Sequence, residues 1–357
     1  MRKLNANQIR WLRVRAQGLA GGPETAASTA GAVRVAAALQ AQAPAPVRAQ
    51  VWSRSDGLRP ADVDAAFAGP SPSAVRSWLM RGTLHAVLAE DLRPLLAVLG
   101  PVNLRAGQRR RDQLGLTDEL CARALAALPG ILGGGRALTR AELVRQLAGH
   151  GVALDLKTQQ PPHLLAFAAN SALICRGPDA GRDEPTYVLI DEWLDRPEKI
   201  SDHHDALGFL ARRYFAAYGP ATTVDLVAWS GLPAAEARKA VELIRDDLEE
   251  VDHDGARLLL SRGTAEPAPP ERPHRLLGRF DPYLLGHRSR ALILDPAFAK
   301  RVNSGGGMIA QTLISEGRIV GTWNAQGLEP FADLPAKASE AFRKEADDYL
   351  MWSKSGI

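Results

Sequence analysis

Three times along this chain, short helix-forming stretches punctuated by proline or glycine run directly into residues that alternate apolar and polar. In the first pass the short helical segments are Val47 to Ser53, Ala61 to Phe67 after Pro60, and Ser73 to Met80 after Pro70 and Pro72, and the alternation is Arg81 to Leu88. The second opens on a capping box, Thr139 with Glu142. It resumes after Pro161 and Pro162 with HLLAFAANSA and closes on ALICRGPDAGRDEPTYVLI, two strands about a polar wing. The third reads DHHDALGFLARRYFAAYG, TTVDLVAWSGL, PAAEARKAVELIRDDL and EEVDHDGARLLLS, with Asp254-Gly255 as the hairpin turn. Short helices followed at once by strands are the order of a winged helix-turn-helix. The passes are too long for a solenoid period and are not copies, so an array of similar modules is expected.

The expected fold is α+β, mainly helical, in four parts: 1–112 with the N-terminal helices and first winged helix, 113–198 and 199–262 with the second and third, and 263–357. That last part begins with a proline- and charge-rich linker, Arg262 to His274, and includes a glycine-rich loop, Ser304 to Gly307. A hairpin is expected at Glu316-Gly317 and an amphipathic helix from about Pro335 to Trp352, giving a small α+β domain.

A chain of 357 residues exceeds what one core supports. Its 46% hydrophobic and 24% charged residues match an ordinary globular protein, and no apolar run reaches the length of a membrane span. The N-terminus reads as an amphipathic helix capped by Asn5 or Asn7, with Ile9, Leu12, Ala16 and Leu19 on one face, and not as a signal peptide. A cytoplasmic location is expected. Cys121 and Cys175 lack disulfide or zinc spacing and read as small buried hydrophobes. The basic residues comprise 36 arginines and 8 lysines, a choice that suits bidentate phosphate contact and that a nucleotide-biased genome would also give.

Within VRVAAALQAQAPAPVRAQ, Gln40 and Gln42 stand two apart at the end of an alanine-rich helical segment, where Pro44 and Pro46 forbid further regular helix. Glutamines at i and i+2 diverge on a helix but share a side of an extended chain. Each amide offers an acceptor and two donors and no titratable proton, so the pair can orient a water but cannot act as a strong base. The alternative is a pair of solvated side chains near a helix end.

RGTLH, GPATTVDLVAWSGL, LLGRFDPYLLGHRSR and GRIVGTWN together resemble the bacterial winged-helix family that contains the AlkZ and YcaQ DNA glycosylases. The resemblance covers essentially the whole chain in order. It implies a C-shaped assembly of three winged-helix motifs with a C-terminal β-rich domain, clamping double-stranded DNA that contains alkylated bases. It also implies excision of bulky alkylated bases, in some members the unhooking of interstrand crosslinks, without a metal or other cofactor. The family's catalytic motif is Gln-x-Gln in the AlkZ-like branch and Gln-x-Asp in the YcaQ-like branch. Gln40 and Gln42 match the first, with small Ala41 where a larger apolar residue is usual.

The chemistry agrees. Breaking an N-glycosidic bond builds positive charge at C1′, which a neutral amide stabilises far less than a carboxylate does. Two glutamines therefore suit a leaving group that is already cationic, such as N7-alkylguanine, and their task is to place a water beside C1′.

The other candidates are weaker. Arg81, Thr83 and His85 can face the DNA backbone, or His85 can be a bonded histidine at a domain seam. Arg109, Arg110 and Arg111 form the strongest basic run, in an inter-module stretch, with phosphate contact or a solvated face as its roles. Asp281 with Arg288 and Arg290 can line the channel or form an internal ion-pair lattice. SDHHD, Ser201 to Asp205, reads as a solvated helix start and not as a metal cluster; Gly133 to Gly135 and Gly305 to Gly307 read as flexible loops. A monomer is expected. The competing class is a non-catalytic winged-helix regulator, which would retain undamaged DNA by sequence.

Overall fold

In the computed structural model, which describes residues 1–181, 183–194 and 202–355, capping and turn signals decide where most elements begin and end. Asn5 opens the helix Ala6–Ala16: its side chain accepts from Gln8 N at 3.0 Å, and the Gln8 side chain accepts from Asn5 N at 2.9 Å. Chain contacts divide the molecule into two units. One comprises Met1–Asp64, Leu207–Trp229 and Pro233–Ile357, the other Ala65–Ala206 with Ser230–Leu232. No described helix is long and apolar enough to cross a membrane.

The first unit takes in most of the helices His203–Tyr218 and Thr223–Ser230 and all of Ala234–Leu243, which leads to a hairpin of Leu248–His253 and Ala256–Ser261. Asp254 and Gly255 both take positive φ, 50° and 82°, as a two-residue turn matched to strand twist requires. Arg2–Lys3 adds a parallel strand to Leu248–His253, and Leu4, Ile9, Leu12, Val251, Leu258 and Leu260 bury together. The C-terminal part is an antiparallel sheet of His274–Leu277, Thr312–Ser315, Arg318–Asn324 and Gly327–Pro330 in that order. The helix Ala336–Lys354 closes it, burying Phe342 with Leu276 and Leu313. Glu316 (φ 48°) and Gly317 (φ 80°) make the expected turn.

In the second unit, Thr139 caps Arg140–Ala148 through the expected box with Glu142. The helices Asp118–Leu132, Arg140–Ala148 and Gln160–Asn170 precede the hairpin Ile174–Ala180 and Glu184–Leu189. Leu138–Thr139 pairs with Glu184–Leu189, and Leu128, Leu143, Leu164 and Ile174 are buried in the shared core. The 22-residue helix Leu92–Gln113 crosses Gln160–Asn170 closely at Gly100, where a Cβ would lie 2.4 Å from the Asn170 carbonyl oxygen. Cys121 and Cys175 are buried free thiols.

The helix expected at Ser73 to Met80 is instead a strand, Ala74–Trp78, antiparallel to Leu84–Leu88 with Ala74 opposite Leu88 and Trp78 opposite Leu84. Ala74, Val75, Arg76 and Ser77 are all buried, and a stretch buried on both faces carries neither a helical nor a strand period. Arg76 pairs there with Asp179 at 2.9 Å. The triple arginine, expected between modules, belongs to the end of the helix Leu92–Gln113.

Candidate active site

The glutamine pair sits between two helices. Ser28 caps Thr29–Ala36, which ends where Ala37 turns to φ 58°, and Pro44 opens the next helix, Pro44–Trp52, at its first position. Pro44, expected to end a helical stretch, also begins the next one, ahead of the Val47 start that the sequence suggested. The Tyr218 hydroxyl donates to the Ala36 carbonyl at 3.0 Å, filling an acceptor that the helix end leaves open. Beyond Ala37 the chain is extended at Leu39–Gln40. Burial alternates: Leu39 is 0% and Ala41 2% exposed, whereas Gln40 is half-buried and Gln42 exposed. Ala41 thus packs inward, between a half-buried Gln40 and an exposed Gln42 that lies in the bend leading to Pro44.

Beneath this connector lies a polar network that spacing does not reveal. Gln50, fully buried, donates through Nε2 to the Gln40 carbonyl at 3.2 Å and to the Arg279 carbonyl at 3.0 Å. Arg54, also fully buried, donates Nη1 to Asp281 Oδ2 at 2.8 Å and Nη2 to Asp281 Oδ1 at 2.7 Å. It also donates to the Gln50 carbonyl and to Gln17 Oε1, and Gln17 Nε2 reaches the Ala217 carbonyl. Asp281 was expected beside Arg288 and Arg290. The internal ion pair exists, but its cation is Arg54. Both Asp281 oxygens are spent on it, so this carboxylate is not free to act as a base.

The HRSR motif interlocks with the third group of helices. The Tyr214 hydroxyl donates to the Gly286 carbonyl at 2.8 Å, and a Cβ on Gly286 would lie 2.0 Å from the Tyr218 ring. His287 donates Nε2–H to the Tyr218 carbonyl at 3.0 Å, and burial, then Arg13, pushes its pKa down to about 3, so it is neutral. Arg288 N donates to Asp225 Oδ1 at 2.9 Å while the Arg288 side chain is exposed. Arg290 is half-buried with Nε on the Leu284 carbonyl.

The remaining candidates separate by burial. Arg81 is exposed, at φ 56°, and Gly231 lies against its backbone, where a Cβ would be 3.2 Å from Arg81 Cα. Thr83 donates its hydroxyl to the Met80 carbonyl. His85 is 4% exposed and donates Nδ1–H to the Thr83 carbonyl at 2.9 Å; burial, then Arg81, lowers its pKa to about 3. Arg109 and Arg110 are exposed, but Arg111 is buried, donating to the Leu104 carbonyl at 2.9 Å and lying 4.8 Å over the Phe167 ring. In the SDHHD run, Asp202 Oδ1 accepts from His204 N and Asp205 N as a helix cap, and Ser201 lies outside the described residues.

A family profile described as DNA glycosylase AlkZ-like matches residues 33–352, which includes the glutamine connector and its network from Gln40 to Asp281. The chain belongs to this family. It is similar, at 28% identity over 84% of this chain and 86% of the other, to an interstrand DNA cross-link repair glycosylase of Streptomyces sahachiroi. The solved structure of the Streptomyces sahachiroi DNA glycosylase AlkZ is similar in fold, with a TM-score of 0.77 at 27% identity over 96% of this chain and 95% of that one.

Of the residues singled out from sequence, Gln40 and Gln42 come together on one connector, while the arginines are distributed over several elements. Gln17, Gln50 and Arg54 escaped notice. A polar residue between Ala49 and Val51 on a short helix reads as solvated, and only the tertiary partners of Gln50 distinguish it.

Proposed function

We propose that this family member is a DNA glycosylase that hydrolyses the N-glycosidic bond of alkylated bases carrying a positive charge, of the N7-alkylguanine type. In this reading the enzyme is monofunctional, without lyase chemistry, acts as a monomer, and takes interstrand crosslinks as well as single adducts. The observation that carries it is the connector: Leu39 and Ala41 are buried while Gln40 is half-buried and Gln42 exposed, which supports a reading in which the two amides serve one open side. Gln40 and Gln42 accept from and donate to one water and hold it for attack on C1′. The cationic base needs no proton to leave as a neutral molecule, so a pair without a titratable group suffices. The commitment of Asp281 to Arg54 supports this division of labour, because it removes a nearby carboxylate from acid or base work.

The helix, helix, helix and hairpin orders at 118–189 and 203–261, and the strands that follow Pro44–Trp52 and Pro60–Ala65, support the reading of three winged-helix modules. Exposed Arg81, Arg109, Arg110 and Arg288, with Thr83 and half-buried Arg290, are assigned to the DNA backbone. Buried His85 and Arg111 are given structural roles instead.

The test is base release from duplex DNA carrying N7-methylguanine. Release of that base, with uracil left in place from an otherwise identical duplex, is expected. Retention of undamaged DNA by sequence, with no base released from either duplex, would establish the regulator in its place.

A further inference from the structure

We propose that Gln50 is the positioning residue of the catalytic connector: by donating both amide protons to the Gln40 and Arg279 carbonyls, it fixes the backbone from which Gln40 and Gln42 are presented. The inference rests on the glycosylase reading of that pair and adds a residue that does not touch the substrate.

The two Nε2 contacts, at 3.2 and 3.0 Å, use both hydrogens of the amide. Turning the amide over would set its oxygen against two carbonyl oxygens, so the hydrogen bonds themselves fix its orientation. Its Oε1 is buried and has no hydrogen-bond partner among the described residues. A residue kept only for packing would not carry such a cost, since an apolar side chain fills the same space without an orphaned acceptor. What the glutamine provides in return is a bond to each of two backbone segments far apart in sequence. Holding the Gln40 carbonyl fixes the peptide plane between Gln40 and Ala41. The torsions on either side of that plane decide whether Gln40 and Gln42 point the same way.

The second segment is a firm support. Gly278 lies so close to the helix Pro44–Trp52 that a Cβ would fall 2.9 Å from Ala49 Cβ and 3.5 Å from the Pro46 carbonyl oxygen. Asp281 holds Arg54 of the turn that follows the same helix, with no exposure on either side chain. The connector is thereby tied through Gln50 to a loop that is itself pinned on both sides of Arg279.

The experiment compares the full chain with Gln50→Leu and Gln50→Glu in single-turnover release of N7-methylguanine. Duplex affinity and circular dichroism are measured at each pH, and rates are normalised to the folded fraction. Gln50→Leu loses both donors. Its rate at saturating enzyme is expected to fall roughly 10- to 100-fold, the scale set by misplacing a reacting group by about an ångström, with DNA affinity within about twofold of wild type. Gln50→Glu can donate only when protonated, so its rate should rise relative to wild type as pH falls, a response that a purely structural role would not give. If Gln50→Leu does not fold, the Gln50→Glu profile decides the matter. A Gln50→Leu rate within twofold of wild type, or a Gln50→Glu profile parallel to wild type, overturns the proposal. A wild-type chain that releases no base overturns the glycosylase reading, and this inference with it.

Discussion

Gln42→Ala tests the catalytic assignment because the structure separates its effect on rate from its effect on folding. Gln42 is exposed, and its side chain makes no hydrogen bond to the described residues. Truncation removes no buried contact, so the stability change should stay within about 0.5 kcal/mol. In a unit of this size that moves Tm by no more than about 2 °C. If the amide orients the attacking water, its loss should slow base release on the order of a hundredfold, equivalent to roughly 2.7 kcal/mol of transition-state stabilisation. Gln40→Ala combined with Gln42→Ala should abolish release while duplex binding persists. Gln42→Asp is the sharper variant. A carboxylate there matches the Gln-x-Asp arrangement of the YcaQ-like branch and adds electrostatic stabilisation at C1′, so substantial activity should survive if the shorter side chain reaches the water. The assay is single-turnover release from an N7-methylguanine duplex, with thermal melts of each variant. A wild-type rate for Gln42→Ala would show that the pair is only a solvated connector, and the assignment would be withdrawn.

Asp281→Asn should leave the buried Arg54 guanidinium without a counter-charge and cost about 3–5 kcal/mol. Thermal melts should drop on the order of 10 °C, and a change under 2 °C would contradict the pairing. Glu345, on the C-terminal helix and mostly buried against the strand His274–Leu277, has its pKa raised to about 7, first by burial, with Arg275 opposing. The folded state then holds a proton that the unfolded chain releases above about 4.5. Stability should therefore fall as pH rises from about 4.5 to 7, by up to roughly 3 kcal/mol, and Glu345→Gln should flatten the curve. Melts that are equally pH-dependent in that variant would assign the slope to other groups. Duplex affinity should fall steeply between low and moderate salt if arginines such as Arg109, Arg110 and Arg288 meet phosphates, and fluorescence titration with a flat salt response would exclude that mode.

Local signals survived folding intact where the chain itself settles the geometry. Asn5 with Gln8, Thr139 with Glu142, Asp254-Gly255 and Glu316-Gly317 all act through neighbours within a few residues, and each marks the end or turn expected of it. Ser73 to Met80 failed because Arg76 is buried only by virtue of Asp179 and the Phe67 ring, partners that no local pattern announces. The same blindness hid the supports of the candidate site. Gln40 and Gln42 were legible as a spacing, but Gln50, Arg54 and Gln17 acquire meaning only when Arg279, Asp281 and Ala217 arrive from distant parts of the sequence. His85 and Arg111 show the converse: residue types suited to phosphate, which tertiary packing turned inward.

A neutral amide pair has little electrostatic leverage on a developing cation, so whatever rate it contributes must come from placement. Placement is hard to secure on a short extended connector, where only Leu39–Gln40 has strand geometry and the helix before it ends in a positive-φ alanine. Leu39–Gln40 is held as a strand of a sheet, and the Gln50 bond adds a further support. Buried polar groups are unusual supports, since each must be answered or it costs stability. Here Gln17, Gln50, Arg54 and Asp281 bond to one another and to the backbone, joining the first helix, the helix after the connector and the Arg279 loop, at the cost of leaving Gln50 Oε1 without a partner among the described residues. An apolar core of the same volume would pack these elements but give the Gln40 carbonyl no donor from Gln50. If Gln40 and Gln42 hold the attacking water, the chemistry of the site and the burial of charge beneath it are two halves of one requirement, since weak catalytic groups need strongly determined positions.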